Sequence, residues 1–152
     1  MPDFPQVTVT CDGSCLGNGT PSARAGAVAI LQYKGVHGEH TKIVGEIPVR
    51  PTNQAAEIAA ACVGLEAINR ACNVTIYSDS NYVVETMRGN FKRNANHDLW
   101  TRLDNAAQQH EVKWEWIPRN STAVHKKCDK AASIVAEMAS VDQNLLDQIL
   151  RA

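Results

Sequence analysis

Gln6-Val-Thr-Val-Thr-Cys11 alternates apolar and polar side chains, the period-two pattern of a β-strand with one buried face. The stretch that follows it, Asp12 to Pro21, is dense in glycine and small polar residues and is predicted to be a loop. Two further strands are predicted over residues 25–33 and 41–47, with a hairpin turn at Lys34-Gly35. Three strands joined by short connections indicate an antiparallel meander.

The rest of the chain alternates predicted helices with predicted strands. The helices have apolar residues at intervals of three and four, whereas the strands alternate with period two. Strands separated by helices pair in parallel through crossovers, so we predict an α/β fold. Its expected architecture is a mixed five-stranded sheet with three antiparallel leading strands, two parallel additions and helices on both faces. The predicted helices span 54–70, 80–88 and 99–110, and the predicted strands span 73–78 and 112–117. A fourth helix, marked by apolar residues between 131 and 138, includes Asp129 and follows a predicted loop over 119–124, and a short fifth helix follows Asp142.

The composition is that of one ordinary globular domain. Of the 152 residues, 44% are hydrophobic and 20% are charged, which excludes disordered, collagen-like and disulfide-dense classes of protein. We expect a single domain over 1–152, with a core over about 6–139 and a C-terminal tail over 140–152 that forms a short helix. The tail could pack back on the domain or serve as a helical peptide for a protein partner.

Neither a membrane segment nor a secretory leader is predicted. No apolar run approaches the ~18 residues of a transmembrane helix, and Met1 to Gln6 lacks the basic and apolar regions of a leader. The five cysteines are odd in number and form no CxxC pair, which argues against a disulfide framework or a zinc ribbon. Reduced thiols and a cytoplasmic location are therefore expected.

Charge is distributed unevenly along the chain. The net charge is −1, yet residues 88–130 hold nine basic and five acidic side chains, so the remainder of the chain is acidic. One basic face on an acidic body is compatible with phosphate binding, and a mixed solvated surface explains the count equally well.

Four acidic residues stand among apolar or small neighbours: Asp12, Glu57, Asp79 and Asp129. Asp12 and Asp79 follow the first and fourth predicted strands, which are neighbours if the meander is joined at its first strand, so these two acids are expected to lie close together. Clustered carboxylates are costly to bury without cations, and oxygen ligands favour Mg²⁺ or Mn²⁺. Two such ions suit in-line attack on a phosphodiester.

Six short motifs give the sequence a resemblance to type 1 ribonuclease H, in family order from residue 7 to about 139. The resemblance implies an endonuclease that cuts the RNA strand of RNA–DNA hybrids and leaves 5′-phosphate and 3′-hydroxyl ends. The motifs are Asp12-Gly-Ser-Cys-Leu-Gly-Asn18, Thr52-Asn-Gln-Ala-Ala-Glu57, Ser78-Asp-Ser-Asn-Tyr-Val83, Asn96-His-Asp-Leu-Trp100, Trp114-Glu-Trp116 and Cys128-Asp-Lys-Ala131.

The same resemblance assigns roles to individual residues. The four acids match the family's catalytic metal ligands, which hold two Mg²⁺ ions, with Mn²⁺ as a possible substitute. A second set matches positions that read the ribose 2′-hydroxyl, although turn or helix-cap chemistry is an alternative explanation of Asn18 and Asn53. A third set matches a pocket for a phosphate of the DNA strand. The hydroxyl-reading set is Ser14, Cys15, Asn18, Asn53, Gln54, Glu57 and Ser80, and the phosphate set is Arg50, Thr52 and Asn96.

The sequence departs from the family pattern in two places. The basic, tryptophan-containing protrusion of many members is absent, since only residues 89–97 separate the two helices that flank it, so we expect salt-sensitive binding of modest affinity. The histidine that many members carry about ten residues before the last acid is replaced by Arg119, or by Asn120 if a gap is allowed. His125 is the only nearby imidazole, and it could relay a proton or simply be a polar residue at a helix entry.

Two other functions are compatible with these features. A catalytically idle module that binds hybrids would keep the fold but should lose an acid, and none is lost. A transposase- or integrase-like DNA nuclease could use a similar fold, but it has no need of the hydroxyl-reading set. The expected partner is an RNA–DNA hybrid, with no membrane, and the protein is expected to be a monomer.

Overall fold

A computed structural model describes residues 4–152 of the chain. Met1 to Asp3, the beginning of the stretch that lacks the features of a leader, lie outside the described residues. The strands are β1 (Gln6–Leu16), β2 (Arg24–Gly35), β3 (Gly38–Glu46), β4 (Asn73–Ser78) and β5 (Glu111–Trp116), and the helices are α1 (Asn53–Glu66), α2 (Asn81–Met87), α3 (His97–Ala107), α4 (Ala123–Val135) and α5 (Gln143–Arg151).

The five strands form one mixed sheet in the order β3-β2-β1-β4-β5. The two pairings among β1, β2 and β3 are antiparallel, and those of β1 with β4 and of β4 with β5 are parallel. The predicted arrangement of three antiparallel strands and two parallel additions is thus confirmed. Cys11 lies opposite Ser78 in the parallel pair, so the residues that follow them, Asp12 and Asp79, meet at one edge of the sheet.

The first strand is longer than predicted. Residues 12–16 pair with β2, from Asp12 opposite Val28 to Leu16 opposite Arg24, so the prediction of a loop from Asp12 onward is wrong for this segment. The cause is tertiary, because hydrogen bonding to β2 overrides the weak strand preference of glycine and serine. Asp12 therefore lies inside β1, on the rigid centre of the sheet.

Helices cover both faces of the sheet and form two cores. Alternate residues of β1 and β2, such as Val9 and Ala29, pack on α1 in a core that α2 and α3 also share. Their neighbours in sequence, such as Val28 and Ile30, face α4 and α5. Because both faces of the central strands are covered, a polar side chain there is removed from water unless it lies at a strand end.

Two helices near the C-terminus refine the prediction. Helix α4 begins at Ala123, so that it includes the last two residues of the predicted loop over 119–124, and Thr122 caps it by accepting a hydrogen bond from the His125 amide at 3.0 Å. Helix α5 buries Leu146 and Ile149 in the second core, so its apolar face packs on the domain. Within residues 4–152, no helix combines the length and the apolar character needed to cross a membrane.

Candidate active site

A cleft of about 330 Å³ opens where β1 and β4 meet, and all four predicted acids line it. The sequence placed two of them at strand ends and two on helices, and the fold brings them to one place. Residues of the predicted hydroxyl-reading set share the walls of this cleft with Arg119. The lining residues are Asp12, Gly13, Ser14, Cys15, Asn53, Glu57, Asp79, Arg119 and Asp129.

Asp12 is held on the face of the sheet that α4 covers. The residue is only 2% exposed, and one carboxylate oxygen, Oδ2, has no hydrogen-bond partner within residues 4–152. The Cys128 thiol fixes α4 against the sheet by donating to the carbonyl oxygens of Thr10 and Val28, at 3.4 and 3.2 Å. Asp129, the next residue, is thereby carried to the cleft.

Glu57 reaches the cleft from the first turns of α1. The amide of Gly13 donates a hydrogen bond to Glu57 Oε1, which ties α1 to β1. The start of α1 is fixed by Thr52, whose hydroxyl oxygen accepts from the Ala55 amide at 3.1 Å. The helix approaches so closely that a Cβ at Gly13 would lie 2.4 Å from the carbonyl carbon of Ala56.

Asp79 and Ser80 form the junction between β4 and α2. The indole Nε1–H of Trp116 donates to the Asp79 carbonyl oxygen at 3.0 Å, which links this junction to β5. Ser80 caps α2 by accepting from the Val83 amide at 3.2 Å. The Asp79 carboxylate is thus presented from a backbone that is fixed on both sides.

Two carboxyl groups of the cleft, those of Asp12 and Glu57, have raised pKa values. Burial raises the pKa of Asp12 to about 8, and a hydrogen bond with Asp129 and the charge of Asp79 act in the same direction. Burial also raises the pKa of Glu57 well above its ordinary value, reinforced by the charges of Asp12 and Asp79. A divalent cation would relieve this repulsion, so the cluster has the electrostatic character of a cation site.

His125 is fully buried behind the acids, in the first turn of α4. Its Nε2 atom lies 3.5 Å from Asp79 Oδ2 and 4.0 Å from Asp12 Oδ2. Its Nδ1 atom accepts a hydrogen bond from the Asn120 amide at 3.0 Å. Burial lowers the pKa of the imidazole, against the opposing charges of Asp79 and Asp129.

The residues present fit a divalent metal ion. Asp12 and Asp79 each offer a carboxylate oxygen, and these oxygens and a ring nitrogen of His125 lie within 4.8 Å of one another. The partnerless Asp12 Oδ2 is a buried oxygen that a cation could satisfy. A set dominated by carboxylate oxygens suits hard cations such as Mg²⁺.

Most of the predicted hydroxyl-reading residues lie between the tip of β1 and the start of α1. Asn18 Oδ1 accepts from the Asn53 amide at 3.0 Å and so satisfies the first N–H group of α1, as in the helix-cap chemistry considered above, while its amide NH₂ remains available. The Cys15 thiol donates to the Pro51 carbonyl at 3.2 Å, and the Ser14 hydroxyl lies 3.4 Å from that of Ser133. Gln54 is exposed in the first turn of α1.

The three predicted phosphate residues also lie near one another, around the starts of α1 and α3. Two guanidinium nitrogens of Arg50 donate to the Asp98 carboxylate, at 2.7 and 3.0 Å, and one also reaches Asn96 Oδ1 at 3.3 Å. Asn96 precedes α3 with a φ of 60°, a left-handed conformation that asparagine tolerates. Thr52 joins this group as the cap of α1.

Comparison with known proteins identifies the family. The family model described as RNase H matches residues 5–137, most of the chain. The chain belongs to the RNase H family. Curated relatives named Ribonuclease H, from Citrobacter koseri and from Escherichia coli O127:H6, are 38% and 37% identical over 145 residues, covering 86% of this chain and 89% of each relative.

Solved structures of RNase H proteins share the fold. The N-terminal RNase H domain of Rv2228c from Mycobacterium tuberculosis, solved as a fusion with maltose-binding protein, has a TM-score of 0.65 at 25% identity and covers 87% of this chain and 99% of that one. LC11-RNase H1, solved in complex with an RNA/DNA hybrid, has a TM-score of 0.61 at 18% identity and covers 86% of this chain and 96% of that one.

The sequence gives only a partial signal for the role of Asp98 in this RNase H site, and it gives no signal for the burial of His125. Asp98, the partner of Arg50, is absent from the predicted set, although it lies within a motif and an acid two residues from Asn96 is a usable signal. The burial of His125 cannot be foreseen, because it depends on how α4 packs on the sheet and on the turn at Asn120. The apolar periodicity of the sequence does not predict that His125 is buried.

Proposed function

We propose that this RNase H family protein hydrolyses phosphodiester bonds of the RNA strand in RNA–DNA hybrids, giving 5′-phosphate and 3′-hydroxyl ends. The observation that carries the proposal is the convergence of Asp12, Glu57, Asp79 and Asp129 on one cleft. That cleft adjoins the residues suited to reading a ribose hydroxyl. The hybrid bound in the LC11-RNase H1 structure supports the same substrate class for this fold.

The catalytic metal site would consist of the four acids. Asp12, Glu57, Asp79 and Asp129 would hold two Mg²⁺ ions, with Mn²⁺ as a substitute, because all four supply carboxylate oxygens. When bound, such ions lower the pKa of an attacking water and stabilise negative charge on the leaving 3′-oxygen. Because the pKa of Asp12 is raised to about 8, metal binding would displace a proton from Asp12 near neutral pH, and the raised pKa of Glu57 acts in the same direction.

Discrimination of RNA from DNA would be the task of the β1 tip and the α1 start. A 2′-hydroxyl is both a donor and an acceptor, and the side-chain amides of Asn53 and Gln54 can match both properties. Asn18 would contribute its amide NH₂, because its oxygen is already held by the Asn53 amide. Ser14, Cys15, Glu57 and Ser80 complete this set of contacts.

The DNA strand would be gripped at one phosphate by Arg50, Thr52 and Asn96. The Arg50 guanidinium is positioned by Asp98 and Asn96, and a planar guanidinium matches phosphate geometry. Contact with a phosphate fixes the register of the hybrid without reading its sequence. Cleavage should therefore be independent of base sequence.

The cellular setting follows from the thiols and the site. All five cysteines are free, which fits a reducing compartment, and we place the protein in the cytoplasm. Every residue of the proposed site comes from one chain, so a monomer suffices for activity. Arg119, which lies 3.3 Å from Asp129, and Asn120 are assigned supporting roles at the cleft.

The test is cleavage of labelled hybrid, duplex DNA and duplex RNA by the native chain with Mg²⁺. We expect the RNA strand of the hybrid alone to be cut, and Asp79→Asn to abolish cutting. Asp147→Asn, a half-buried acid on α5, is the matched control and should cut normally. Absence of cleavage by the native chain would instead favour an idle binding module, and equal cutting of duplex DNA would favour an integrase-like nuclease.

A second substrate sharpens the result. A hybrid with a single deoxyribose at the scissile nucleotide lacks only the 2′-hydroxyl that the cleft is proposed to read. We expect no cutting at that position, whereas an integrase-like nuclease would cut there normally.

A further inference from the structure

The imidazole of His125 is the one buried histidine side chain, among residues 4–152, that faces the acids of the cleft. It is 0% exposed, on the first turn of α4. The ring therefore exchanges no hydrogen bonds with bulk solvent, and its state is fixed by its protein neighbours.

One ring nitrogen already has a defined role. Nδ1 accepts a hydrogen bond from the Asn120 amide at 3.0 Å, and a nitrogen that accepts cannot carry a proton. The neutral ring must then carry its proton on Nε2. The turn that supplies the amide is specified locally, because Asn120 has a φ of 55° and Thr122 caps the following helix.

The protonated nitrogen faces two carboxylates. Nε2 lies 3.5 Å from Asp79 Oδ2 and 4.0 Å from Asp12 Oδ2, and both Nε2 and Asp12 Oδ2 have no formed hydrogen bond within residues 4–152. An N–H directed at these oxygens is attractive, whereas a bare nitrogen would place a lone pair against them. The Asp79 contact is about half an ångström longer than a good N–H···O bond, so a small side-chain adjustment completes it.

We infer that His125 is a positioning residue that donates Nε2–H to the Asp79 carboxylate and thereby orients Asp79 toward the metal site. The inference rests on the proposed function of that site. With one oxygen of Asp79 held from behind, the other is directed to the cleft, which is how supporting hydrogen bonds organise ligating carboxylates.

The same geometry argues against two other roles. A metal ligand would need a bare Nε2, which would shift the proton to Nδ1 and oppose it to the Asn120 amide. A proton relay would need a ring free to pass protons to solvent, and this ring is fully buried. The imidazole thus supports the site without touching the reacting atoms.

The tautomer can be measured directly by ¹⁵N NMR of the histidine ring in the full chain. We expect Nε2 to be protonated and Nδ1 bare, both without metal and after addition of Mg²⁺ alone. Loss of the Nε2 proton on addition of Mg²⁺ would make His125 a ligand and overturn the inference. The measurement needs no cleavage, so it stands even if the native chain fails to cut hybrids.

Variants test the consequence for metal binding. His125→Phe keeps a ring but removes the donor, and we expect Mg²⁺ affinity, measured by calorimetry without nucleic acid, to fall roughly 10- to 100-fold. His125→Asn retains an N–H donor and should recover most of that affinity. At saturating Mg²⁺, kcat of His125→Phe should fall less than tenfold, because the acids themselves remain.

His110 supplies a matched control. It is also buried, and its Nδ1 accepts from the Cys72 amide at 3.0 Å, at the opposite end of the sheet. His110→Phe should lower stability but leave Mg²⁺ affinity unchanged. Native Mg²⁺ affinity in His125→Phe, or an equal loss in His110→Phe, would refute the positioning role, and the NMR result decides if either variant fails to fold.

Discussion

The absence of a side chain at Gly13 allows α1 to approach β1 closely and so determines the position of Glu57. The glycine amide holds Glu57 Oε1, and the backbone of α1 fills the space that a Cβ would need. Gly13 has no unusual φ, so the requirement for glycine is one of space. A residue that resembles a loop former in the sequence is therefore a close-packing position between β1 and α1.

Gly13→Ala should damage stability and catalysis together. The new Cβ would lie 2.4 Å from the Ala56 carbonyl carbon, so α1 must shift, at a cost of about 1–3 kcal/mol in unfolding free energy. A displacement of Glu57 by about 1 Å would lower kcat up to roughly a hundredfold. Urea unfolding and hybrid cleavage measure the two effects.

Gly89→Ala is the control for that substitution. Gly89 has a φ of 86°, and a Cβ at this position would meet no atom within 4 Å, so the variant should lose about 1–2 kcal/mol through backbone strain without changing kcat. Native stability in Gly13→Ala would contradict the close packing described here.

Asp12 should make the metal-free protein less stable at high pH. Its pKa is about 8 in the folded chain against 3.8 ordinarily, so between these values the folded state binds a proton that the unfolded state has released. Stability from this group is complete below about pH 4 and is lost as the pH rises toward 8. The raised pKa of Glu57 acts in the same direction.

Urea unfolding in chelator at pH 5 and pH 8 measures this dependence. The native chain should lose more stability between the two values than Asp12→Asn, which cannot ionise at that position. Adding Mg²⁺ at pH 8 should restore stability to the native chain, because the cation binds the ionised acids of the folded state. Identical pH profiles for the two chains would contradict the buried, protonated state of Asp12.

For strands and helices, the sequence predicts the bounds correctly where local sequence patterns determine them. Strand β4 has the predicted bounds, since its alternation and polar flanks coincide with its pairing to β1 and β5. The predicted end of β1 is wrong because pairing with β2 sets it. The four acids are found through motifs, whereas the roles of Asp98 and His125 depend on contacts between distant segments.

Helix α5 should contribute stability without contributing to the reaction. Leu146 is fully buried against β3 and α4, so Leu146→Ala should cost roughly 2–5 kcal/mol of unfolding free energy. Leu145→Ala, on the same helix but only half-buried, should cost distinctly less. Both should retain native kcat per folded molecule, and equal destabilisation by the two would contradict the packing of α5.

For the molecule as a whole, charge favours weak electrostatic binding of nucleic acid. The net charge is −1, and several basic residues of the 88–130 stretch are already paired with acids. Only part of the basic excess therefore remains to contact phosphates. The ion pairs are Arg88 with Glu85 and Glu115, Arg93 with Asp104, Arg102 with Glu46 and Glu66, Lys113 with Glu115, and Arg119 with Asp129.

The KM for hybrid should accordingly rise steeply with salt. If about four phosphates are contacted, counterion release predicts a rise of roughly a hundredfold between 50 and 200 mM salt. The kcat at saturating hybrid should change little, because the acids act within the cleft. Steady-state cleavage across a salt series measures both, and a KM unchanged over this range would contradict the prediction.

The parallel pairing of β1 with β4 has a consequence for folding during synthesis of the chain. Residues 6–11 cannot pair with β4 until residues 73–78 have been synthesised. The cleft is complete only when residue 129 is present as well. Contacts between segments so far apart in sequence form slowly, because a long loop must close before they yield any gain. A chain whose synthesis has not reached residue 129 lacks one of the four acids of the cleft, so hybrid cleavage should appear only after that residue has been made and the strands have paired.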